Sequence, residues 1–122
     1  MPTDPKYIGV PNIQFSLISK DDKREDDYSK QRIERGFDDS ETWSLDNTIS
    51  NFIIPRLRRF NEVTPNHPPD MSMQEWTSKI DKMIEAFELN IKDTNSFISD
   101  DERKKITEGL DLFREYFFNL WW

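Results

Sequence analysis

Three arginines within four positions, Arg56, Arg58 and Arg59, are the residues whose type and spacing could hold a ligand. Guanidinium groups grip phosphate or carboxylate through paired N–H donors. The tryptophans Trp43, Trp76, Trp121 and Trp122 offer flat faces on which a base could stack. At 100° per residue, Arg56 falls between Ile49 and Phe52, in the middle of an apolar face. A charge there has to snorkel, meet an internal carboxylate such as Asp46 or Glu88, or bind something. Arg58 and Arg59 lie on the outer side near a helix C-terminus, whose dipole they complement.

Other reactive side chains have simpler explanations. The acidic clusters Asp38-Asp39-Glu41 and Asp100-Asp101-Glu102 could hold a hard cation or work as an acid/base pair, but each stands at a helix start, where capping and the helix dipole account for it. Neither has the alternating oxygen ligands and glycine of a calcium loop. His67, the single histidine, sits in a proline-rich loop with no nucleophile or orienting acid near it in sequence, and reads as a solvated side chain. With 3 glycines there is no phosphate-cradling loop, and the serines lack a nucleophile elbow. The absence of cysteine removes disulfides, thiolate ligands and thiol nucleophiles. The reading is therefore a non-enzyme with no catalytic residue, cofactor or metal.

A chain of 122 residues supports one core, and 34% hydrophobic against 34% charged residues leaves part of it outside that core. The formal charge of −7 repels a phosphate backbone or an anionic lipid surface, which argues against duplex nucleic acid and membrane as primary partners. No window approaches the roughly 20 apolar residues of a membrane span, and MPTDPKYIGV lacks a basic region followed by an apolar run. A soluble, intracellular protein is expected.

Pro2, Pro5 and Pro11 keep the first 19 residues out of helix, and Ile13, Phe15 and Leu17 alternate with polar residues as a short strand would. Without a sheet to join, this is an extended arm, docked in cis or on a neighbouring subunit. Residues 20–35 carry charges of both signs with only Tyr28 and Ile33 apolar, which predicts a solvated linker or a fraying helix. A helix then starts near Ser40 or Ser44, with Leu45, Ile49, Phe52, Ile53, Leu57 and Phe60 as its core stripe, and Trp43 and Ile54 pointing elsewhere. Pro55 removes the donor for the carbonyl of Asn51 and predicts a kink rather than a stop.

Ser72 with Glu75 opens a second helix over about 73–91, whose stripe is Trp76, Ile80, Met83, Ile84, Phe87 and Ile91. Ser99 with Glu102 opens a third, carrying Ile106, Leu110, Phe113, Phe117, Leu120 and Trp121 to the last residue. Tyr116, Phe118 and Trp122 spread aromatic surface around most of its circumference. The expected fold is all-α: a compact bundle of about three helices over residues 36–122, with an extended N-terminal arm and charged linker over residues 1–35.

The succession Gly36-Phe37-Asp38-Asp39, Trp43-Ser44-Leu45-Asp46, Pro55-Arg56-Leu57, Lys82-Met83-Ile84, Ala86-Phe87-Glu88, Glu108-Gly109-Leu110, Leu112-Phe113 and Leu120-Trp121 resembles a group of small proteins encoded by tailed bacteriophages. The resemblance covers residues 36–122 and implies a phage origin, residence in the host cytoplasm or the virion, and an accessory role such as countering host defence.

Two functions follow as expectations. One is a non-enzymatic interaction module, virion-associated or host-factor-binding, acting through a protein partner or self-association. The other is a sponge that sequesters a nucleotide-like immune signal, with arginine on phosphate and tryptophan on base. The residues expected to bind ligand or partner are Trp43, Arg56, Arg59, Trp76, Phe118 and Trp122.

Overall fold

The computed structural model describes residues 15–91 and 98–122 of the chain. Its elements are α1 (Glu25–Arg35), a 3-10 turn (Asp39–Thr42), α2 (Leu45–Val63), α3 (Met73–Asn90), α4 (Asp100–Glu115) and a second 3-10 turn (Phe117–Asn119). Among the described residues every regular element is helical, as expected of an all-α fold. The part of the arm before Phe15 lies outside the described residues. Contacts divide the chain into two compact units, Met1–Thr48 and Ile49–Trp122, with the division inside α2.

In the first unit, Glu25–Arg35 of the stretch expected as a solvated linker or a fraying helix form α1. Glu25, Asp26 and Asp27 occupy its first turn and Arg32 and Arg35 its last, so both ends complement the helix dipole. Gly36 closes it with φ 87°, a left-handed conformation open to glycine, and its N–H bonds the carbonyl of Arg32. An apolar stripe is not what holds this helix: its buried residue is Arg32. The 3-10 turn that follows is a full capping box, in which Asp38 accepts from Ser40 N–H and Glu41 accepts from Asp38 N–H.

The second unit has the ordinary apolar core. Ile54, Leu57, Met71, Trp76, Ile80, Met83, Ile84 and Phe87 are buried together, and Ile53, Phe60, Leu112, Phe113, Tyr116 and Leu120 pack against them. The α3 stripe matches the sequence pattern, and Ser72 caps its start by accepting from Glu75 N–H.

Two helices bury a different face from the one their apolar spacing predicts. α2 continues through Pro55 to Val63, but it turns Ser50, Ile54 and Leu57 inward, while Leu45, Ile49 and Phe52 stay about half exposed. Burying the 49–52–56 face would desolvate Arg56 at its centre. The face chosen instead asks only for Ser50, whose hydroxyl meets the Asn90 amide at 3.2 Å. α4 starts at the predicted Ser99–Glu102 box but ends at Glu115, and Leu110, Phe117 and Trp121 of its expected stripe are exposed.

The residue that sets α4's rotation is Gly109, which is buried against α3. A Cβ there would sit inside van der Waals contact with both the Ala86 side chain and the Lys82 carbonyl. The close approach carries neighbouring pairs with it: Lys82 to Glu108 at 2.9 Å, Phe87 edge-on to Phe113 at 5.2 Å, and Trp76 edge-on to Tyr116 at 5.5 Å.

Candidate functional site

Of the six residues expected to bind, Trp43 belongs to the first unit and Arg56, Arg59, Trp76, Phe118 and Trp122 to the second. Trp76 is 1% exposed and belongs to the core, so it is a packing residue and not a stacking platform. Arg59 pairs on the surface with Glu62, three residues on in the same helix, at 3.1 Å. Trp43, in the first unit, is half exposed and forms a corner with Tyr28, their ring centroids 6.5 Å apart, with the Arg24 guanidinium 5.0 Å from the Trp43 ring. Asp22 holds that guanidinium by two bonds, at 2.9 and 2.8 Å.

Arg56 folds back along its own helix. Its guanidinium lies 3.8 Å from the Phe52 ring centroid and donates to the Phe52 carbonyl at 2.7 Å. The proposed internal carboxylates are not its partners: Glu88 is held by Arg58 at 2.9 Å, and among the described residues Arg56 has no ion pair. Cation–π stacking on an exposed ring resolves the conflict seen in sequence, because the charge covers apolar surface without leaving water.

Phe118 and Trp122 are both exposed and lie four residues apart on the segment that follows α4. From the buried Phe87 a chain of edge-to-face contacts runs outward through Phe113 and Phe117 to Phe118, with centroids 5.2, 5.5 and 5.6 Å apart. The outer members are open: Phe117 is 52% exposed, Phe118 87%, Trp121 70% and Trp122 67%. Leu120, between them in sequence, packs inward and anchors the segment. Scattered exposed apolar residues are ordinary, but four exposed large aromatics within six positions are the composition found at interfaces.

A second cluster, in the first unit, escaped the sequence reading. Arg32 is buried between Glu25 and Asp38, both of which accept from its guanidinium. Asp38 is fully buried and also accepts from the Ser16 hydroxyl at 2.6 Å. The Leu17 N–H donates to Ser40 Oγ at 2.8 Å and the Phe15 N–H to Glu41 Oε1 at 3.2 Å, so residues 15–17 are tied to the capping box by polar bonds. Burial pushes the Asp38 carboxyl up, but the bonds from Ser16, Ser40 and Arg32 outweigh it and hold it below the usual carboxylate range. The capping-box spacing from Asp38 to Glu41 was its one visible signal; nothing in sequence marks Arg32 as the charge it would bury.

Among the described residues no group of three or more histidine or acidic side chains is placed to hold a metal ion, and no helix is long and apolar enough to cross a membrane. The protein is all-α, and four exposed aromatic side chains, Phe117, Phe118, Trp121 and Trp122, follow its last α-helix. Comparison with protein-family models, with curated proteins and with solved structures finds no match to this chain.

Proposed function

We propose that this protein is a non-enzymatic interaction module, phage-encoded and acting as a virion-associated or host-factor-binding accessory, that works through the aromatic face of Phe117, Phe118, Trp121 and Trp122. The observation that carries this reading is the exposure of those four side chains on a segment anchored to the core by Phe113 and Leu120. Desolvated aromatic residues supply most of the energy of protein interfaces. The test is to place a photocrosslinking phenylalanine analogue at position 118 and irradiate cells making the protein. Discrete adducts to protein are expected, with none when the analogue replaces the exposed Lys105. Absence of adducts at position 118 overturns the reading.

The placement of Arg56 favours this module over nucleotide capture, because its guanidinium is already engaged by Phe52. Arg56→Met keeps the stem and removes a stacking worth about 0.5–1 kcal/mol at an exposed site. Its melting temperature is therefore expected within a few degrees of the original, by roughly 4–8 °C per kcal/mol for a unit of this size. A panel of linear and cyclic nucleotides is expected to leave the wild-type melting temperature unchanged. A concentration-dependent rise that disappears in Arg56→Met would instead favour the sponge.

A further inference from the structure

We infer that the occupant of the aromatic face is a second copy of this chain, joined in a two-fold symmetric dimer; the inference rests on the reading of that face as a docking surface. Charge is the first argument. The protein carries a net −7, so two copies repel each other over most of their surface. The run Tyr116–Trp122 contains no acidic or basic residue in a chain that is 34% charged, and it is preceded by Arg114 and Glu115, one of each sign. Two like-charged copies meet at least cost on such a face, and a two-fold contact lets a rim of both signs pair unlike charges. A basic partner would be met by acidic side chains within the face, and a nucleic acid by basic ones; the segment offers neither.

Area is the second argument. Aromatic side chains present about 150–250 Å² each, so the exposed parts of Phe117, Phe118, Trp121 and Trp122 amount to roughly 400–700 Å². A symmetric contact hides this on both copies, roughly 800–1,400 Å² in total, which spans the threshold of about 1,000 Å² for a specific interface. Geometry agrees. Phe117 and Phe118 already stand edge-to-face at 5.6 Å, leaving ring faces and edges of the kind that aromatic pairs across a two-fold axis use.

The experiment is sedimentation of the full chain across about 1–200 μM, the range in which an interface this small associates, with hydroxyl-radical footprinting read residue by residue at the same concentrations. A dimer is expected whose dissociation constant rises about thirtyfold or more in Phe118→Ser/Trp122→Ser. The variant's far-UV spectrum should match the original, its melting temperature should match the original's at concentrations too low for the dimer, and in the original chain oxidation of Phe118 and Trp122 should increase on dilution. Phe118→Lys, which puts like charges across the axis, should break the dimer by itself. A dimer that survives both variants forms elsewhere and overturns the inference. A monomer at every concentration with Phe118 and Trp122 heavily oxidised also overturns it, but leaves the face open to another protein and the proposed function standing. A monomer in which those residues are protected means that the chain covers its own face, and both readings fall.

Discussion

Asp38→Ala is expected to melt α1 and the turn after it while leaving α3 and α4 folded, at a cost of about 3–5 kcal/mol, the range for breaking a buried ion pair from one side. The carboxylate is fully buried and accepts from Arg32, Ser16 and Ser40. Among the described residues its loss leaves a 3%-exposed guanidinium with Glu25 as its one remaining carboxylate, and the Arg32 Nε–H already has no hydrogen-bond partner there. A unit as small as Met1–Thr48 has only a few kcal/mol of margin, so a loss of this size unfolds it. Amide exchange should show Tyr28 to Arg35 losing protection while Ile80 to Phe87 keep theirs; unchanged protection in α1 would refute the role given to Asp38. Acid should act in the same place. Because the folded carboxyl titrates below its unfolded value near 4, its contribution is fully present above that value and is lost as the pH falls through the folded one. Protection in α1 is therefore expected to fall on acidification before protection in α3 does.

Gly109→Ala is expected to destabilise the second unit, against the usual gain from replacing a helix-interior glycine. Alanine is better than glycine in a helix by about 1 kcal/mol. Here the added methyl meets the Ala86 side chain and the Lys82 backbone carbonyl, and backbone cannot rotate away as a long side chain can. α3 and α4 must separate, which disturbs the Phe87–Phe113 and Trp76–Tyr116 contacts on the same seam. Overpacking of this kind costs about 1–3 kcal/mol where rotamers can adjust, and the upper end applies where a carbonyl blocks the way. A net loss of about 2 kcal/mol corresponds to a drop of roughly 8–16 °C in melting temperature. A rise in melting temperature would show that the helices do not approach as closely as described.

The second unit was the more legible from sequence because its logic is apolar. The spacing of Trp76, Ile80, Met83, Ile84 and Phe87 places α3 and its buried face together, and the Ser99–Glu102 box places the start of α4. The rotation of α2 is not legible in the same way, since a wheel that counts apolar residues gives Ile49 and Phe52 the same weight as Ile54 and ignores what burying Arg56 would cost. Gly109 stood within a motif of the phage-like pattern, yet glycine has no side chain to enter a stripe, and its effect is visible only against the facing Lys82 and Ala86. α1 was the hardest. Its interior contact is Arg32 with Glu25 and Asp38, and opposite charges seven and six positions apart look the same on paper whether solvated or buried. Of the residues singled out, the exposure of Phe118 and Trp122 is legible from their excess over one helical stripe, whereas Trp76 belongs to a stripe and is taken up by the core.

The two interiors also differ in how they respond to temperature. Opening the first exposes Arg32, Asp38, Ser40 and Glu41, groups whose hydration lowers heat capacity, while opening the second exposes Ile80, Met83 and Trp76, whose hydration raises it. The stability curve of the charged interior is therefore the flatter of the two. Its ions also become cheaper to dehydrate on warming, while the hydrocarbon interior loses strength on cooling. A calorimetric scan of the whole chain should depart from a single transition, with a van't Hoff enthalpy below the calorimetric one.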